Sequence, residues 1–509
     1  MGRALRVVAA ALAAATVLSV PTVAASAGIP FCGARPGPGV NYHGCDLSHR
    51  QFGHVNFTGA NLTHANLTGA SLFNAVLFGA NLTHANLTDA NLATANLTEA
   101  KLNGATITGA TIVQADFAET TLVHVASGDL HGRPQSLPSR FFTKRGLLFG
   151  PGVNLAGQRL VGLDLAHADL SRAILSGANL ARSNLSHTSL SGTRMLGAIL
   201  TGARITDTGF HDATLFLPNR RGVRTGGMVG HPRTVPVGFY LADGYFIGPG
   251  ANLHRARLVG LYLPHVNFTG ADLDETNLAR TVLWGAEFSI TAMQRTGFSH
   301  ASLRGANFSN VSIASVNLTG ADLTHLRSSA VRSKKLPPGW VNVKGHLVGP
   351  GANLSGADLS DSRFLRANLD GANLRGTNLS ASYLSRARLV GCITGRLVIR
   401  GKPPVLPAHW TLFRGVLLGA GAVLLGAGLQ NANLSSAVLA SADLIHVNFH
   451  NTDLAHANLS HAVLIGVNLQ HANLSHAALG GVTSSGLLGH PAGLPPGWAI
   501  VAGSLVKRG

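Results

Sequence analysis

From Ala60 to Ala100 the chain reads ANLTH ANLTG ASLFN AVLFG ANLTH ANLTD ANLAT ANLTE, one apolar–polar pattern renewed every five residues. The centre of each unit is large and apolar, as in Leu62, Leu67, Leu72, Leu77, Leu82 and Leu87. A small residue stands two places before it (Ala60, Ala65, Ala70), Asn or Asp directly before it, and two mostly polar residues after it. A helix buries positions spaced three and four apart, so a fixed spacing of five would wind the apolar residues around it and bury no face. A long strand requires a period of two. Within one unit the small residue and the centre are two apart, which suits a very short strand, and the other residues must turn the chain. A short strand and a turn, repeated, make an all-β solenoid.

The last position of the unit is where the turning is expected. It is often Gly (Gly59, Gly69, Gly79, Gly104, Gly109), or else Asn, Asp or His (Asn74, Asp89, His64, His84). Type II turns need φ > 0 at their second central residue, which Gly adopts freely and Asn, Asp and His tolerate best among the rest. Thr94, Glu99 and Gln114 break this preference, and predict a second turn type at their corners.

These units resemble the A(D/N)LXX motif of the pentapeptide-repeat family. The resemblance implies a right-handed β-helix of square cross-section with four units to a coil. The Ala and Leu positions then face inward, and residues twenty apart stack. Leu62, Leu67, Leu82, Leu87, Leu180, Leu273, Leu369 and Leu459 become core positions.

The pattern divides the chain. Residues 1–27 have the layout of a signal peptide: Arg3 and Arg6, an apolar stretch from Val7 to Val20, then Ala25-Ser26-Ala27 as a cleavage site. Residues 28–44 form an N-terminal cap. Repeat blocks occupy 45–124, 153–217, 251–325, 352–391 and 422–481, with connectors at 125–152, 218–250, 326–351 and 392–421. A last segment, 482–509, reads as a C-terminal cap hairpin. The connectors repeat at a higher level, aligning Phe141, Phe239, Trp340, Trp410 and Trp498 in one column. Gly146, Gly244, Gly345, Gly415 and Gly503 form a second column, so each connector reads as strand, glycine turn, strand. The fold expected is thus five solenoid blocks joined by β-hairpin-like connectors. Val416–Leu429 is apolar enough to resemble a membrane segment, but its fourteen residues fall short of the roughly twenty a span requires. It also aligns with the connector His346–Leu359, and no membrane span is expected after signal removal.

An oxidising compartment makes a Cys32–Cys45 disulfide the expected staple of the first coil. Cys392 occupies a small inward position and reads as a buried thiol. Of the 24 histidines, many end a unit. If residues twenty apart stack, His64 pairs with His84, and His456 pairs with His476. Two imidazoles so placed could hold Zn or Cu, but no Cys or convergent carboxylate joins His64, His84, His456 or His476, so they are expected to be corner residues and no metal site is expected. No nucleophile elbow, phosphate loop, HExxH or CxxC is present, and no cofactor is expected. Asn-Leu-Thr sequons abound, but they follow from the repeat itself.

Net charge is +18, and the connectors carry much of it, for example Arg133, Arg140, Lys144 and Arg145 in the first. Further examples are Arg220, Arg221, Lys334 and Lys335. From 415 to 506 there is no Lys or Arg. A basic surface attracts polyanions. With export, an anionic cell-wall polymer or a protein becomes the expected partner and nucleic acid an unlikely one. The leading expectation is a secreted, non-enzymatic structural or interaction scaffold. The resemblance also brings in topoisomerase inhibition, since some family members look like DNA in shape and negative charge; a basic, exported chain opposes it. A metal-binding or hydrolytic protein is the third reading.

Overall fold

A computed structural model describes residues 31–215, 222–332 and 336–508. The segment 1–27, expected to be a signal peptide, and the cations Arg220, Arg221, Lys334 and Lys335 lie outside these residues. The described residues are strands, bridges and turns, with no helix. The chain divides into two compact units, Met1–Leu155 with Asp169–Ile174, and Ala156–Ala168 with Leu175–Gly509.

The repeat unit forms its strand on the three residues that end at the centre. Leu62 N–H donates to Asn81 O at 2.7 Å, and Asn81 N–H donates to Ala60 O at 2.8 Å. This pair of bonds makes a parallel bridge between Asn61 and Asn81. The next two residues turn the corner, closed by Ala65 N–H donating to Leu62 O at 3.1 Å, with His64 at φ 58°. Asn61 Oδ1 accepts from both the backbone N–H and the hydroxyl of Thr63. Its Nδ2 donates to Asn41 Oδ1 at 2.9 Å, one coil below. The residue before the centre therefore clamps its own corner and ties it to the neighbouring coil.

In the first unit four ladders of this kind define four faces, starting from Asn41, Asp46, Gln51 and Asn56. Leu62, Leu67, Leu82 and Leu87 are buried inside, as are Leu180, Leu273, Leu369 and Leu459 in the second unit. In residues 251–325 the inner column holds Phe268, Phe288 and Phe308, with successive centroids 5.2 and 4.9 Å apart.

The corners at Thr94, Glu99 and Gln114 correct the expectation of a second turn type there. Their φ values are 56°, 60° and 56°, matching the His and Gly corners. Stacking imposes the shape: each N–H donates to the coil above, Thr94 to Val113 O at 2.8 Å and Gln114 to Arg133 O at 2.8 Å. A second corner form does exist elsewhere. At Arg204–Thr206, Val423–Leu425, Asp443–Ile445 and Val463–Ile465 the strand runs one residue past the centre.

The ladders outlast the sequence pattern. Ala126, His131 and Ser136 continue three of the faces beyond residue 124. Then comes a hairpin, β1 (Phe142–Lys144) with β2 (Leu147–Phe149). The second unit holds equivalent hairpins: β3 (Tyr240–Ala242) with β4 (Tyr245–Ile247), β5 (Val341–Val343) with β6 (His346–Val348), β7 (Thr411–Phe413) with β8 (Val416–Leu418), and β9 (Trp498–Val501) with β10 (Ser504–Lys507). The apolar run beginning at Val416 is thus a hairpin strand and the next repeat. No helix among the described residues is long and apolar enough to cross a membrane.

Each hairpin turns on two residues with positive φ: Arg145-Gly146, Asp243-Gly244, Lys344-Gly345, Arg414-Gly415 and Ala502-Gly503. Two such residues give the turn whose twist matches paired strands. In the second unit the inner hairpins lie across the tube. Leu347 packs into the core of 247–331, whereas Val343 and Val348 pack into the core of the next block. Leu417 and its neighbours Val416 and Leu418 divide in the same way. One ladder passes each of these hairpins directly, through Arg224↔Asn252, Arg327↔Asn353 and Ile393↔Val423.

Candidate interaction surfaces

The position that docks each hairpin is a break in the repeat. Where the centre would be Leu, the chain has Ser127, Thr225, Ser328, Thr394 and Ser484. Their hydroxyls meet the hairpin backbone. Ser328 Oγ accepts from Leu347 N–H at 2.7 Å, Ser127 Oγ from Leu148 N–H at 2.9 Å, and Thr225 Oγ1 from Phe246 N–H at 3.0 Å. Thr394 Oγ1 instead donates to Leu417 O at 3.2 Å. The turn glycine completes the seat: Gly345 O accepts from Val331 N–H at 2.9 Å, and Gly146 O from Leu130 N–H at 2.9 Å. These hydroxyls were legible as exceptions to the pattern, but periodicity alone gives them no role.

Phe141, Phe239, Trp340, Trp410 and Trp498 are half-buried. Each of the first four lies over a glycine that opens the next block: Gly150, Gly248, Gly349 and Gly419. A Cβ on any of the four would strike the ring, so the bend requires glycine. Cys32 and Cys45 are joined, closing a span of 13 residues onto the first coil. Cys392 is free and fully buried, and burial pushes its thiol up to about 12, which leaves no thiolate for chemistry at neutral pH.

The histidine pairs do stack. His64 lies on His84 at 5.0 Å and 22°, and His456 lies on His476 at 4.9 Å and 10°. His167 and His187 form a third pair, at 4.8 Å and 3°. His64, His84, His456 and His476 are exposed corner residues. Imidazole lone pairs lie in the ring plane. Rings this nearly parallel aim their nitrogens along parallel lines, so neither His64 with His84 nor His456 with His476 converges on a zinc-sized centre about 2 Å from each nitrogen. Among the described residues no group of three or more His, Cys, Asp or Glu is placed to hold a metal, so no third ligand joins either pair. What His456 and His476 do instead is turn their corners, each with φ 61°.

Several acidic side chains serve the coil. Glu275 bridges Arg255, at 2.7 Å, and Arg295, one coil to either side. The hydrogen bond from Arg255 holds the Glu275 carboxyl below its ordinary range despite partial desolvation. Burial works to raise the Asp169 carboxyl, but hydrogen bonds from Ser171 and the Arg140 guanidinium at 3.0 Å outweigh it and hold it low.

Two sequon asparagines bond across coils. Asn66 Nδ2 donates to Asp46 Oδ1 at 2.9 Å and Asn86 Nδ2 to Thr68 Oγ1 at 2.9 Å, so each of these amides already serves a bond to the neighbouring coil.

Two kinds of surface remain open. The connectors present exposed cations, among them Arg133, Arg145, Arg224, Arg332, Lys344, Arg396, Arg400, Lys402 and Arg414. One face of 251–325 carries exposed aromatics, Tyr262 (66%) and Trp284 (45%), which the sequence reading did not single out.

The sequence profile described as pentapeptide repeats matches residues 43–77, 75–112, 152–186, 178–215, 250–289, 293–325, 351–393, 420–454 and 442–481. Among solved structures the chain is similar to a pentapeptide repeat protein from the Arabidopsis thaliana thylakoid lumen, with 32% identity over 19% of this chain and 72% of that one, TM-score 0.18. It is similar also to HetL, involved in heterocyst differentiation regulation in Nostoc sp. strain PCC 7120, with 21% identity over 66% and 88%, TM-score 0.13. A third is QnrB1, a plasmid-mediated fluoroquinolone resistance protein, with 16% identity over 49% and 91%, TM-score 0.14. No curated protein matches the chain. The profile matches cover more than half of the chain, in the same phase as the buried leucines and the four-ladder coil, and the chain belongs to the pentapeptide-repeat family.

Proposed function

We propose that this chain is a secreted, non-enzymatic scaffold whose basic connectors engage an anionic cell-wall polymer. The observation that carries the reading is the placement of charge. Arg396, Arg400 and Lys402 stand exposed on one connector, and the block before it adds exposed Arg363, Arg366, Arg375, Arg386 and Arg388, whereas 415–506 carries no Lys or Arg. Exposed guanidinium and ammonium groups suit phosphate and carboxylate on a polymer, and such contacts weaken as salt rises. The layout of residues 1–27 supports export. A net charge of +18 has the wrong sign for a surface that imitates DNA, which argues against topoisomerase inhibition.

Cosedimentation with wall material, before and after its anionic polymers are stripped, tests this. Binding is expected at low salt, to fall steeply as salt rises, and to weaken with stripping and with Arg396→Glu/Arg400→Glu/Lys402→Glu. Equal binding by wild type and the triple variant would reject the connectors as the contact. A reporter fusion active only inside the cell would reject export.

A further inference from the structure

On the four-sided coil of 251–325, the positions flanking each centre are mostly Asn, Asp, Ser, Thr, Arg or Glu, and the rest are otherwise small, aliphatic or single polar residues. One face departs from this. Tyr262 precedes its centre and Trp284 follows its own, one coil on, and their rings meet edge-to-face at 6.3 Å and 78°. They are 66% and 45% exposed although the interior of the same block is closed with phenylalanine. Tyr240, on β3, reaches the same place: its hydroxyl donates to Pro264 O at 3.3 Å, and the ring is 40% exposed. The indole is held in position, because Trp284 Nε1–H donates to Ser302 Oγ at 2.7 Å. Exposed Arg304 and Asp322 lie further along the same face.

We propose that Tyr240, Tyr262 and Trp284 form a platform for a polysaccharide of pyranose rings. Leaving three large rings in water forgoes the burial they would provide in the core, about 1.5–3 kcal/mol for a large apolar side chain. Their position therefore calls for an external partner. A protein hot spot wants a desolvated pocket within a patch of about 800 Å² per side. On this face the aromatics give way at once to Ser302, Arg304 and Asp322. A sugar ring matches that mixture, since its C–H face stacks on an aromatic face and its hydroxyls need both donors and acceptors. The rings are fixed before binding, so little conformational freedom is lost when the ligand arrives. This inference shares the extracytoplasmic setting of the proposed function but rests on a different surface and a different force.

Salt separates the two. Full-length protein is cosedimented with peptidoglycan stripped of anionic polymer, with chitin and with cellulose, at low salt and at about 1 M salt, where charge contacts are screened within about 3 Å. The expected result is retention on at least one polymer at high salt, reduced at least ten-fold by Tyr262→Ala/Trp284→Ala and unaffected by Arg396→Glu/Arg400→Glu/Lys402→Glu. A change in tryptophan emission on adding the matching oligosaccharide, absent in Trp284→Phe, supports it further. Thermal melting should fall only slightly in the aromatic variant, because what is lost is a surface ring pair and the Trp284–Ser302 bond. Failure to bind any of the three polymers at high salt overturns the platform, as does equal retention of the aromatic variant. Loss of all binding with salt overturns it too, and leaves the charge-based reading standing. Binding of a protein but no polysaccharide would replace it with a protein docking face.

Discussion

A corner residue in this fold must accept φ near +60° and leave room for the corner twenty residues on. The side chain of His84 folds over Gly104, where an added Cβ would run into the imidazole Nδ1. His49 and Gly69, His300 and Gly320, and His461 and Gly481 repeat the arrangement. Where the upper corner is another His, as His476 is above His456, the two rings stack instead. Gly104→Ala and Gly79→Ala both incur the left-handed cost of about 1–2 kcal/mol, but nothing lies within 4 Å of a Cβ at Gly79. Gly104→Ala should therefore be the more destabilising in chemical denaturation, and His84→Ala should erase the difference in a double-mutant cycle. At the inward position, Leu87→Ala should cost about 2–5 kcal/mol, read from the same denaturation curves. An unchanged midpoint would contradict a Leu87 that the structure buries completely.

The hairpin is the element that turns a uniform tube into blocks. It docks where the centre shrinks to Ser or Thr, and its own apolar residue replaces the missing Leu: Leu347 and Leu417 are fully buried. Ser328→Ala removes the acceptor for the buried Leu347 N–H and should cost about 1–3 kcal/mol. Ser328→Leu, which restores the repeat, should be worse, because two leucines then compete for one site. Near-ultraviolet circular dichroism of Trp340 should report the displaced hairpin. Gly349→Ala gives an independent check, since its methyl group strikes the Trp340 ring and should shift the emission to longer wavelength. Retention of the native signal in both variants would show that the hairpin does not need this seat.

Across the whole molecule, stability is a sum of neighbouring coils, because each coil touches only the next. The Cys32–Cys45 bridge closes a short span at the first coil. Replacing both cysteines with Ser should remove about 3 kcal/mol, the amount expected for a loop of this size, and remove it locally. Hydrogen exchange should quicken at Tyr42 and Leu47 and stay unchanged at Leu444 and Leu464. Uniform acceleration along the chain would mean that the solenoid melts as one cooperative body. In the second unit, among the described residues, one ladder passes directly by each of three internal hairpins, so those hairpins are the natural places for local opening.

The coil can be read from the order of residues alone. A period of five leaves no helical or long-strand solution, and the Leu, Ala and Asn positions specify what faces inward and what clamps each corner. The aromatic and glycine columns mark the connectors in the same way. That His64 and His84, or His456 and His476, come together was also legible, because a spacing of twenty is one coil. That each pair lies ring on ring was not, since the spacing says nothing of ring orientation. Thr94, Glu99 and Gln114 turn like their neighbours because backbone bonds to the next coil override their local preference, and those bonds exist only in the stacked molecule. Nor was it legible that three faces continue past residue 124, since a ladder needs a backbone partner and not a repeated side chain. The aromatic platform was only half legible. Tyr262 and Trp284 flank centres one coil apart but on opposite sides of them, so the spacing brings their coils together without showing that the two rings meet.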